Sequence, residues 1–255
     1  MKKIMMLFAV SMLLLGATGQ AMAYFTAGDL IEVVYQIGGM GNEVLTDLGS
    51  ASTWTTSSAV PTASVTTNIS AANLSTLFPG ASYSSLDAAF FTFTPATGAS
   101  GNFWVSGPLS GQSNTGFQKS STKGAMNSVL SLASTNSGGT NQAVQASASS
   151  ANTYYNALDG GGTNPGAFKS FIPAGNGEVS LAALAAGGTA TLDLYYYPNA
   201  TSNTAGTGLS VAEITLADGS TQIAPQPQAT PIPATFLLFG SGLLGLVGIR
   251  RKQQV

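Results

Sequence analysis

The chain predicts a mainly β fold, an antiparallel two-layer β-sandwich carrying a helical insert, and three features point to it. Short segments alternate apolar and polar residues with a period of two. Glycine, proline and Asp-Gly breaks separate those segments. Between two groups of such strands, about residues 121–159 switch to helical spacing, as in a layered sheet with helices at one end. An apolar segment lies at each end of the chain, outside the alternating region.

Residues 29–37 place Ile31, Val33, Tyr35 and Ile37 on one face and Glu32 and Gln36 on the other, which predicts a half-buried strand. Residues 38–42 are glycine-rich and supply a turn, and Val44, Thr46 and Leu48 mark the returning strand of a hairpin. Leu74, Leu77 and Phe78 behind a Ser70 cap predict a short helix ending at Pro79-Gly80. Residues 86–94 and 101–105 read as aromatic-rich strands, and residues 106–123 as a loop. Met126, Val129, Leu130 and Ala133 recur at i, i+3, i+4 and i+7, the stripe of an amphipathic helix. Val144, Ala148, Ala151, Tyr155 and Leu158 fit a second helix ended by Gly160, with disorder over 134–165 as the alternative because Ser and Asn are poor helix formers. Strands resume at 178–184, 190–197 and 209–216, with Asp218-Gly219 as a turn and 223–230 as an extended spacer.

The two termini carry processing signals. Lys2-Lys3, the apolar run 4–15 and Ala21-Met22-Ala23 are the charged, hydrophobic and small-residue parts of a secretory signal peptide, here a helix within residues 1–23. Cleavage after Ala23 makes Tyr24 the mature N-terminus; an uncleaved membrane helix is the alternative. At the other end, residues 234–249 contain no charge and, as a helix, would extend about 24 Å, a short membrane span. Arg250, Arg251 and Lys252 follow directly and orient that end to the cytoplasm. Pro231 and Pro233 stiffen an extended segment just outside.

Pro231-Ile232-Pro233-Ala234-Thr235, a Gly/Leu-rich hydrophobic stretch and the Arg-Arg-Lys cluster, in that order over residues 229–252, resemble the PEP-CTERM sorting signal of Gram-negative bacteria. The middle residue departs from the usual Pro-Glu-Pro. The resemblance implies an exosortase substrate: export past signal peptidase and the Sec machinery, an inner-membrane-tethered intermediate, and handling by an exosortase-type membrane protease. It also implies a final place at the cell surface or outside the cell, with a link to exopolysaccharide and biofilm matrix. An ordinary single-pass anchor is the alternative. The chain then divides into a signal peptide (1–23), an exported β-rich domain (24–222), a spacer (223–230) and the sorting signal (231–255) with its membrane segment (234–249).

Composition closes several classes. The exported part keeps only Lys119, Lys123 and Lys169 against ten acidic residues, a net charge of −7, so the clustered cations of a nucleic-acid binder are absent. Without cysteine there are no disulfides, and without histidine there is neither a Ser-His-Asp triad nor a His-ligated zinc. No cofactor is expected. Ser120-x-x-Lys123 matches a penicillin-recognition motif but lacks its companions, and Asp159 to Asn164 only faintly resembles a calcium loop. Asp29, Glu32, Asp87 and Asp193 could in principle pair as glycosidase carboxylates, although Glu32 and Asp193 sit on polar faces where lone carboxylates are normally solvated. Trp104 and Tyr196, within or near Tyr195-Tyr196-Tyr197, could stack on sugar rings. The expectation is a non-enzymatic surface or matrix protein, with a carbohydrate-binding module second and a secreted glycosidase third.

Overall fold

The computed structural model describes residues 24–51, 63–67, 69–94, 102–107, 109, 119–159, 177–197 and 209–225. The predicted hairpin is present: β1 (Asp29–Gln36) pairs antiparallel with β2 (Asn42–Ser50), with Val34 opposite Val44. Gly39 in the turn has φ +67°, and a Cβ there would run into the Tyr155 ring, so both the backbone and the space call for glycine. The further strands are β3 (Ala63–Thr66), β4 (Leu86–Phe93), β5 (Phe103–Gly107), β6 (Gln142–Ala146), β7 (Glu178–Ser180), β8 (Ala190–Tyr197), β9 (Leu209–Ala217) and β10 (Ser220–Pro225).

In place of two separate sheets, all of these strands belong to one antiparallel sheet. Its order is β3-β10-β9-β8-β5-β4-β1-β2-β6, with β7 paired to β4 alongside. The sheet is strongly curled. Thr221 on β10 donates to Glu32 Oε1 on β1 at 2.9 Å. Four strands separate β10 from β1, so a flat sheet would hold them about 24 Å apart at the usual strand spacing. The contact requires the two halves to fold over one another.

Alternation along each strand therefore feeds two cores. The inner one gathers Leu30, Val34, Phe90, Trp104, Leu192, Leu194, Ile214 and Ile223. Its rim is capped by the single-turn helix α1 (Leu74–Leu77) and by a 3-10 helix at Leu181–Ala186, whose Leu181 and Leu184 are buried one 3-10 turn apart. The outer core lies under helix α2 (Lys119–Asn136), and Met126, Val129, Leu130 and Ala133 are all buried against it. The helical stripe read from those four residues is thus present.

Several local expectations are corrected. Residues 144–158 are not a helix: β6 occupies 142–146, and only a π-helical turn at Tyr155–Asp159 follows. The strand wins because β2 would otherwise expose its hydrogen-bonding edge, and Gln142–Ala146 alternates in burial when paired to it. The short helix starts after Asn73 rather than Ser70. Strand β7 stops at Ser180, whose side chain caps the following 3-10 helix. The predicted loop 106–123 is strand up to Gly107 and helix from Lys119. Strand β10 runs to Pro225, and Ile223, assigned to the spacer, is buried.

Candidate functional site

The sorting residues Pro231, Ile232, Pro233, Ala234, Thr235, Arg250, Arg251 and Lys252 lie outside the described residues, as do Ala21 and Ala23. Tyr24, the expected mature N-terminus, is half-buried and packs on the outer core. Phe25 beside it is buried with φ +61°, and its N–H donates to Asp47 Oδ2 at 2.8 Å. Asp29 clasps the same segment, accepting from the Thr26 N–H at 2.9 Å and the Thr26 hydroxyl at 2.7 Å. Burial pushes the Asp47 carboxyl up; the Phe25 and Gly49 N–H bonds oppose this, and neighbouring Asp29 adds to it.

Strand parity fixes where the two chain ends emerge. From β1 through β4, β5, β8 and β9 to β10 every pairing is antiparallel, so β10 runs opposite to β1. The chain leaves β10 toward the rim at which it enters β1. The turn of the β1–β2 hairpin, with Ile37 and Met40 exposed, lies at the opposite rim together with Asp218.

The residues proposed for chemistry are not brought together. Glu32 is fully buried on the inner face, not solvated, because β1 lies mid-sheet with both faces covered. Asp193 is buried too, on the outer face, where Tyr195 donates to it at 3.3 Å. Asp87 alternates with inner-facing Leu86 and Ala88 and so shares the outer side. The sheet itself separates Glu32 from both. Asp87 and Asp193 stand two strands apart, about 10 Å laterally. Lys123 is buried in α2, and the side chain of Asp159 lies outside the described residues.

Trp104 and Tyr196 meet each other, with ring centroids 5.0 Å apart in the inner core and exposures of 1% and 8%. Their faces are spent on packing and are closed to a sugar in this conformation. Tyr195 and Tyr197 point to the outer core and Tyr196 to the inner, the two-against-one split expected of a strand. Among the described residues no group of three acidic side chains could hold a metal ion.

One polar cluster escaped the sequence reading. Glu43, fully buried, accepts from the Tyr154 and Tyr155 N–H groups and from Gln145 Nε2. Glu178 accepts from the hydroxyls of Tyr35 at 3.0 Å and Tyr154 at 2.9 Å, beneath a ring contact of 5.5 Å between those tyrosines. These bonds staple β1, β2, β6, β7 and the π-turn together on the outer side. Nothing in the sequence marks the cluster, because Glu43 shares its strand face with Asp47 and looks like an ordinary solvated position.

No protein-family model, curated protein or solved structure matches the chain. No helix among the described residues is long and apolar enough to cross a membrane.

Proposed function

We propose that this is an exported, non-enzymatic cell-surface or extracellular-matrix protein, sorted through its C-terminal tail by an exosortase-type system. The observation that carries the reading is the ordered tail: the Pro231–Pro233 pair, the uncharged run 234–249, then Arg250, Arg251 and Lys252. In this reading residues 1–23 form the signal helix and 234–249 the membrane helix, and the curled sheet serves as a two-layer body between them. Two structural features support it. Tyr24 and Phe25 are held as part of the folded body, which suits a mature chain beginning there. Entry and exit at one rim would let a tether hold that rim near the membrane while the opposite rim faces outward. A matrix exopolysaccharide is the polymer this body would meet, and its low charge density suits such surroundings.

Intact mass and fractionation of the protein from its host, with and without the exosortase-type protease, test the reading. The expected product begins at Tyr24, ends near residues 231–234 and depends on the protease. A chain that still ends at Val255 and stays in the inner membrane in both strains would leave the tail as an anchor only and remove the matrix assignment.

A further inference from the structure

We propose that Glu32 and Thr221 form a proton-operated latch that holds the curled sheet closed. The bond between them joins β1 to β10 across four intervening strands, at 2.9 Å and with both residues fully buried. It therefore reports directly on whether the two halves of the sheet are folded over each other.

Among the described residues Glu32 has no charged company on that face. Its neighbours on β2 are Val44 and Thr46, and the acids of that strand, Glu43 and Asp47, alternate to the outer side. Asp87 on β4, Asp193 on β8 and Glu213 on β9 also alternate outward, and β10 carries no charge. Glu178 on β7 is held by Tyr35 and Tyr154 of the outer side, and Lys123 lies on α2, which covers that same side. Among the described residues, Tyr83 and Tyr196 are the other titratable groups of the inner cluster, and both are neutral below strongly alkaline pH. A carboxylate in this setting is fully buried, with no cation facing it among the described residues.

The neutral acid fits better. Oε1 accepts from Thr221, while Oε2 has no partner among the described residues. A proton on Oε2 removes the charge from this buried oxygen while Oε1 keeps the Thr221 bond between β1 and β10. Burial, opposed only by the Thr221 bond, pushes this carboxyl from 4.5 up to about 7. Because the folded value is the raised one, the stabilisation is complete below the unfolded value and is lost as pH rises through the folded one. Above neutrality the latch carries a buried charge and the curl loosens, exposing apolar strand faces. This does not depend on how the chain is sorted.

The test is hydrogen exchange on the full chain in mild detergent from pH 4 to 8, corrected for intrinsic rates, with Glu32→Gln beside it. Glutamine keeps the shape and the acceptor for Thr221, but cannot ionise. Relative to that variant, protection of peptides over β1 and β10 in the wild type should fall roughly 300-fold across the range, with the steepest change between the two carboxyl values. The infrared difference between wild type and Glu32→Gln should show a protonated-carboxyl band that fades over the upper half of the range. Equal pH dependence in the two proteins, or no such difference band at pH 5, overturns the proposal. Should Glu32→Gln not fold, Thr221→Val decides: it should raise exchange of β10 already at pH 5, and unchanged exchange there sinks the latch.

Discussion

The Tyr154 backbone N–H donates to the Glu43 carboxylate at 2.8 Å across 111 positions of sequence. The Tyr155 N–H follows at 3.0 Å on the other oxygen, so the carboxylate caps the start of the π-turn much as an acidic residue caps a helix. Gln145, itself held by Asn136 at the end of α2 through a 2.8 Å bond, completes the set. Glu43→Ala would strand these buried donors, and leaving such groups unsatisfied should lower stability by about 3 kcal/mol. Urea unfolding measures the loss, and hydrogen exchange should place it first at Tyr154 and Tyr155. A loss below about 0.5 kcal/mol would mean the cluster is not what holds β6 and the π-turn to β2.

Trp104→Ala separates a packing role from a ligand-binding one. The ring is 1% exposed and lies against Tyr196 in the inner core. Truncating a buried tryptophan removes its transfer free energy and leaves a cavity, a combined cost of about 3–5 kcal/mol. The expected result is a large drop in the unfolding midpoint. A protein that keeps its stability but loses binding on a glycan array would return Trp104 to the role of a sugar platform.

What the sequence made legible follows the reach of each signal. The β1–β2 hairpin and the face of α2 are local: a glycine-rich turn between alternating segments, and four apolar residues at helical spacing, need no distant partner to be recognised. The segment around Val144 reads with either period, and the arbiter is the open edge of β2, a hundred residues upstream. Glu32 and Asp193 look solvated because alternation assigns a face but does not say whether that face is covered. Glu43 was invisible for the same reason. Its partners are backbone N–H groups, which carry no mark in the sequence.

Gly39→Ala tests the close approach of the hairpin turn to Tyr155. The new Cβ would overlap the ring, and the backbone would have to keep a positive φ of 67°. The ring can swing aside while the dihedral cannot, so the two terms are separable. An overall loss of about 2 kcal/mol is expected, of which the left-handed backbone accounts for about 1. Adding Tyr155→Ala should then relieve the steric part alone, giving a favourable coupling of about 1 kcal/mol in a double-mutant cycle. Strict additivity would show that the ring does not rest on the turn.

Asp218 should give the rim cap an acid limit. Its Oδ1 accepts from the Tyr83 hydroxyl and from the Ala71 N–H, each at 2.7 Å, joining the β9–β10 turn to residues 69–85. The Tyr83 bond first and the Ala71 bond second hold the carboxyl below its usual 3.8, while burial and Asp218 push the Tyr83 hydroxyl upward. For a carboxyl lowered in the folded state, the contribution is present above the unfolded value and is lost as pH falls through the folded one. The cap should therefore loosen only in strong acid, seen as faster exchange at Ala71. Asp218→Asn should abolish that acid limb and bring the Tyr83 phenol down toward an ordinary tyrosine in an alkaline absorbance titration. A Tyr83 titration unmoved by the substitution would show that the hydroxyl is governed by burial alone and that the turn is not fastened through it.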